Sequence, residues 1–295
     1  MRVTNKMVTN NFLTNLNRNA KEVAKLQSQL SSGKVIERPS DDPIAVSKIM
    51  NLTTAIGKNE QYQSNMEDAI AWNSLTDSTL DNIGNTMQRL RELTVQAANG
   101  SFSDTERSGI KAEVEQLTEQ IMQDGNTMYG GRYILAGNNN KTAPFKLESG
   151  ELKYSGDSGK MKMEVSTGLT VGINTSGSEL MGSGNSLSDM LKELKSALES
   201  GDATKLSKDV LGKIDDNIDN VLNLRAKVGA KVNRFESIFQ KNEADNLNMK
   251  TILSENQDVD VAEKIMEYMA MENVYQTTLS AGAKAIQHSL LDYLR

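Results

Sequence analysis

The chain has 295 residues and a formal net charge of −6, with 39 acidic against 33 basic side chains, no cysteine and a single histidine. The acidic balance argues against a nucleic-acid partner held through phosphate contacts, and the lack of cysteine excludes disulfides, thiolate metal ligands and a cysteine nucleophile. Aromatics make up 4% of residues and the only prolines are Pro39, Pro43 and Pro144, a composition that favours long helices over one compact core.

The charge is unevenly placed: residues 1–36 carry a net +5 and the remainder −11. A basic arm on an acidic body suggests self-association, because the two parts attract. No run approaches the ~20 apolar residues of a membrane helix, so no membrane insertion is expected. The first thirty residues also lack the apolar stretch of a cleavable secretory signal. Residues 1–19, rich in Asn and Thr, are expected to be weakly structured until they meet a partner.

Residues 1–38 form the first segment. Phe12, Leu16, Val23, Leu26 and Leu30 follow a heptad seam there, and Gly33 sits where glycine usually closes a helix. The stretch 34–43, with Pro39 and Pro43, is a connector; Ser40, Asp41 or Asp42 caps the next helix, with Pro43 in its first turn. Residues 39–131 read as the first half of a helical rod domain. One helix, 44–98, carries Met66, Ile70, Leu80, Ile83, Met87 and Leu90 on one face. Ser103 and Glu106 then form a capping box. The helix after it, with Ile110, Val114, Leu117, Ile121 and Met128, is expected to run to Gly130-Gly131.

Residues 132–185 alternate short apolar runs (133–135, 153–154, 161–165 and 169–173) with Gly, Asn and Ser, the composition of a small β-rich inserted outer domain. Residues 186–257 give the second half of the rod. Ile214, Ile218, Val221, Val228, Val232, Phe235 and Phe239 alternate at steps of three and four, interrupted by Arg225. Residues 258–295 form the last segment, a helix over 261–294 with Ile265, Met269, Leu279, Ile286 and Leu290 on its apolar side. The fold class is therefore mainly α: an elongated rod of long coiled-coil-like helices from both chain ends, with a small β-rich inserted domain in the middle.

The chemistry available is sparse. His288 stands in the last helix with no second histidine and no obvious carboxylate to orient it, so it reads as an ordinary surface or interface residue. Asp41-Asp42, flanked by prolines, reads as a helix cap and not a cation site. The glycine-rich stretch 130–137 lacks the Gly-Lys-Ser/Thr ending of a phosphate loop. No catalytic, metal or cofactor constellation emerges, and none is expected. Ile70, Ile83, Leu90, Val114, Leu117, Ile121, Ile214, Ile218, Val232 and Phe235 read as the core of one helical bundle. The terminal helices are different, because narrow seams on polar helices are marginal alone. Leu16, Val23, Leu26 and Leu30, with Ile265, Met269, Leu279, Ile286 and Leu290, are read as assembly residues, pairing the two termini and joining neighbouring subunits. Charge supports that pairing: residues 259–295 hold five acidic and three basic groups, opposite to the lean of the first segment.

Leu30-Ser31-Ser32-Gly33-Lys34 followed by Pro39-Ser40-Asp41-Asp42-Pro43 resembles the N-terminal signature of bacterial flagellins. Val228-Gly229-Ala230-Lys231-Val232-Asn233-Arg234-Phe235-Glu236 and the closing Leu290-Leu291-Asp292-Tyr293-Leu294-Arg295 resemble their C-terminal counterpart. The opening Met1-Arg2-Val3-Thr4-Asn5-Lys6-Met7 and the step Gly131-Arg132-Tyr133-Ile134-Leu135-Ala136-Gly137 resemble the branch of that family that joins hook to filament. Gly282-Ala283-Lys284-Ala285-Ile286-Gln287 stands where filament flagellins usually carry Ala-Gln-Ala-Asn-Gln.

The resemblance implies a tube subunit with no enzymatic activity. Its terminal helices would line an inner wall, its bundle would form the outer wall and its β insertion would project outward. It implies other copies of the chain in a ring as partners, with the first hook–filament junction protein on one side and flagellin on the other. It also implies a chaperone at the C-terminal helix before export. Passage would run through the flagellar type III system without a cleaved signal peptide, to the extracellular flagellum. Two other readings are a minor filament flagellin and a secreted coiled-coil adaptor.

Overall fold

Helix α1 (Asn5–Ser32) ends where Gly33 takes a φ of +71°, a conformation that costs glycine nothing, and the Gly33 amide still donates to the Gln29 carbonyl at 2.9 Å. Helix α2 (Pro43–Ala98) begins at a cap: the amides of Ile44 and Ala45 donate to Asp42 Oδ1 at 2.9 and 3.0 Å. Of the three candidate capping residues it is Asp42 that performs this role, while the Asp41 carboxylate accepts from the Arg38 amide instead.

The structure, a computed structural model, describes residues 5–36, 38–99, 104–148, 150–182 and 186–293, and side chains from 6 to 284 within them except Val8 and Asp104. Ile286, His288 and Leu290 therefore lie outside the described side chains, and Ser103 of the expected capping box outside the described residues. The remaining elements are α3 (Asp104–Gly125), β1 (Met128–Tyr129), β2 (Arg132–Tyr133), β3 (Phe145–Glu148), β4 (Glu151–Tyr154), β5 (Lys162–Ser166), β6 (Leu169–Gly172), α4 (Gly177–Met181), α5 (Ser186–Ser200), α6 (Ala203–Lys205), a π-helical turn (Leu206–Val210), α7 (Leu211–Gln257) and α8 (Val261–Tyr293). The fold is mainly helical, with long helices toward both ends and a small strand-containing middle. Among the described residues no helix is long and apolar enough to cross a membrane. The chain forms two compact units, residues 1–58 with 245–295, and residues 59–244.

The 59–244 unit is built on apolar faces of α2, α3, α5 and α7. Ile83, Leu90, Val114, Ile121 and Ile214 are fully buried there, with Leu117 and Ile218 half-buried against the same core. Phe235 is fully buried in a second cluster, with Met66 and Val165, and Ile70 packs half-buried against it; Val232 is half-buried. At the position where the α7 seam breaks, Arg225 reaches across to α2 and pairs with Asp77 at 3.1 Å and Asp81 at 2.5 Å.

Helix α3 stops at Gly125, earlier than the Gly130-Gly131 end the sequence suggested. The stop is tertiary in origin. A Cβ at 125 would stand 2.6 Å from Phe145 Cδ2, and Asn126 exchanges two hydrogen bonds with the Phe145 backbone, so the chain is captured by β3 before the helix runs out. Gly130 and Gly131, with φ of +55° and +77°, make the turn of the β1–β2 hairpin instead.

The strands form three antiparallel hairpins, β1–β2, β3–β4 and β5–β6, each its own two-stranded sheet. Their apolar side chains enter the helical core: Phe145 and Leu152 join the α2/α3/α5/α7 cluster, and Val165 and Val171, with Ile173 just past β6, join the second. Isolated two-stranded hairpins are marginal in water, which is why these lean on helices. Tyr154 is the knot of the region. Its hydroxyl bonds the carbonyls of Leu135 and Asp157 at 3.0 and 2.9 Å, and its ring packs 5.2 Å from Phe145.

Candidate assembly surface on the terminal helices

In the unit formed by residues 1–58 and 245–295, α1 and α8 run antiparallel. The chain segments at their junction are stitched by backbone hydrogen bonds, Val35 to the Gln257 carbonyl at 2.8 Å and Val259 to the Gly33 carbonyl at 3.0 Å, around the paired Lys34 and Asp258. Gln29, nearly buried, adds a bond from its Nε2 to the Val35 carbonyl at 2.6 Å. Asp260 opens α8 by accepting from the amides of Ala262 and Glu263.

Along the pair, Phe12, Leu16, Asn19, Val23, Leu26 and Leu30 are covered positions of α1, stepping 4, 3, 4, 3 and 4, with Ala20 and Gln29 covered beside them. On α8 Lys264, Tyr268, Met271, Tyr275, Thr278 and Gly282 are covered with the same alternation, and Glu272 is half-buried beside Met271. Asn19 Nδ2 donates to Thr278 Oγ1 at 3.3 Å, and Gly282 meets the Phe12 ring. Each half-buried aliphatic of this seam contributes on the order of 1 kcal/mol.

Leu16, Val23, Leu26 and Leu30 thus face α8. Ile265, Met269 and Leu279 do not face α1. Each follows a covered residue by one position (Lys264, Tyr268, Thr278), and one residue turns a helix by about 100°. They stand 40%, 58% and 42% exposed on an adjacent stripe, next to the more exposed Met266. Asn19, Tyr268, Tyr275, Thr278 and Gly282 carry little apolar signal in the sequence, being polar or small. Their 3–4 spacing was the trace they left.

An apolar stripe on a helix already paired through its other face is what a further helix would cover. Isolated exposed apolar residues are common, but here Ile265, Met269 and Leu279 repeat along one element.

Residues 3–140 match the family model for the bacterial flagellin N-terminal helical region, and residues 211–294 the model for the bacterial flagellin C-terminal helical region. The chain is 30% identical over 310 residues to flagellar hook-associated protein 3 of Escherichia coli (strain K12), covering 97% of this chain and 96% of that protein. It is 27% identical to flagellar hook-associated protein 3 of Salmonella typhimurium, covering 94% and 96%. Among solved structures, Bacillus cereus FlgL is similar with a TM-score of 0.60 and 25% identity, covering 69% of this chain and 99% of that one.

Proposed function

Because the chain belongs to the bacterial flagellin family, we propose that it is a structural subunit of the flagellum, forming the junction ring that connects the hook to the flagellin filament. The observation that carries this reading is the near end-to-end match to hook-associated protein 3, which spans both terminal helices and everything between them. The paired α1 and α8, with an uncovered apolar stripe on α8, support assembly with further subunits. In this reading the partners are other copies of the chain, the first hook–filament junction protein on the hook side and flagellin on the filament side. A chaperone holds α8 until export, which proceeds without cleavage of the N-terminus. The role is structural and not enzymatic.

Assembly of the purified full chain tests the choice within the family. The junction role predicts monomers or short rings. Long filaments formed by this protein alone would identify it as a minor filament flagellin. Removing residues 1–31 is expected to abolish assembly, whereas a coiled-coil adaptor would keep its partner binding.

A further inference from the structure

Within the 59–244 unit a pocket of about 570 Å³ lies between α7 and the β5–β6 hairpin. Its rim is mostly basic: Lys227, Lys231 and Arg234 step along one face of α7 at spacings of four and three, Lys160 approaches from the segment before β5, and Glu179 of α4 is the one carboxylate in the lining. Lys160, Lys227 and Arg234 have no ion-pair partner among the described residues. Its apolar floor is Ala230, exposed on α7, with Val171 and Phe235 buried beneath it.

Lys231 is the fixed member. Its ammonium donates to the Asn174 carbonyl at 2.8 Å and Thr175 Oγ1 at 3.4 Å, and both of those residues are buried. Asn174 is itself held on both sides, accepting from the Met161 amide and donating to the Gly159 carbonyl. Burial pushes the Lys231 ammonium below its ordinary range. Glu179 opposes that, and Lys160 and Lys227 push the same way as burial. A cation held in place beside like charges is relieved by an anion, and the lining sets four cations against the single carboxylate of Glu179.

We propose that this pocket binds an acidic side chain presented by another protein subunit, the carboxylate meeting Lys231, Lys227 and Arg234 and its methylene stem lying on Ala230. The apolar base is what separates this ligand from a free oxyanion, which would use the rim alone. Copies of this chain, acidic beyond residue 36, are themselves a source of such side chains.

Calorimetric titration of the purified full chain with a hexaglutamate peptide, and separately with inorganic phosphate at matched ionic strength, tests this independently of the junction role. Saturable peptide binding is expected, weakened at least tenfold by Lys227→Gln with Arg234→Gln. Those two side chains are exposed and lack ion-pair partners, so folding should be spared. Lys21→Gln with Lys25→Gln, exposed on α1, should leave it unchanged. Absent peptide binding, or equal loss in both double variants, would overturn the site. Phosphate binding as tightly as the peptide would overturn the side-chain ligand.

Discussion

Gly282 of α8 lies so close to the ring of Phe12 on α1 that a Cβ at position 282 would overlap it. Two opposing effects decide what Gly282→Ala does. Helix propensity favours alanine by about 1 kcal/mol, whereas overpacking a closed contact costs about 1–3 kcal/mol. The net expectation is a loosened α1–α8 pair, read as faster amide hydrogen exchange across α1. Combining it with Phe12→Ala should cost less than the two single losses together. Strict additivity would contradict the contact.

Phe145 is 1% exposed and joins β3 to the main helical core. Phe145→Ala is expected to lower the stability of the 59–244 unit by about 3–5 kcal/mol. Denaturant unfolding checks this. A loss below about 1 kcal/mol would mean that the hairpins do not share the helical core.

How far these features could be read from the sequence depended on whether they were local. The Gly33 stop and the cap at residues 40–42 are written in a few neighbouring residues, and so is the seam of α1. The end of α3 is not, because Gly125 is captured by Phe145, twenty residues on. Strand β3 itself escaped notice between Pro144 and polar flanks. On α8 the loudest apolar residues, Ile265, Met269 and Leu279, lie one position past covered residues, and apart from Met271 the covered stripe is made of Lys, Tyr, Thr and Gly. Arg225 looked like a seam defect until Asp77 and Asp81 stood opposite it on α2.

That cluster gives a salt-dependent prediction. Arg225 and its two partners are each between a third and a half exposed, so the pairs are worth little individually. Arg225→Ala should cost about 1 kcal/mol at low salt. The difference should shrink in molar salt, where the screening length falls to about 3 Å. A salt-independent loss would point to packing of the side chain's stem.

Asp157 gives a pH-dependent one. Its carboxylate accepts from the amides of Asn138, Gly159 and Asn139 at 2.7, 2.8 and 3.1 Å, and the Asn138 bond leads in holding its pKa below the ordinary carboxylate range. A folded-state pKa below the unfolded value of about 3.9 contributes stability that is complete above that value. The contribution is lost as pH falls through the depressed folded value. Asp157→Asn should therefore be less stable than the parent at pH 7, with the gap closing below about pH 4. A gap constant from pH 7 downward would contradict this account.

The central claim is that the chain joins hook to filament, and deleting its gene tests that most directly. Flagella would be examined by electron microscopy and the spent medium probed for flagellin. The account predicts cells that carry hooks without filaments and lose flagellin to the medium. Normal filaments on the deletion strain would contradict it.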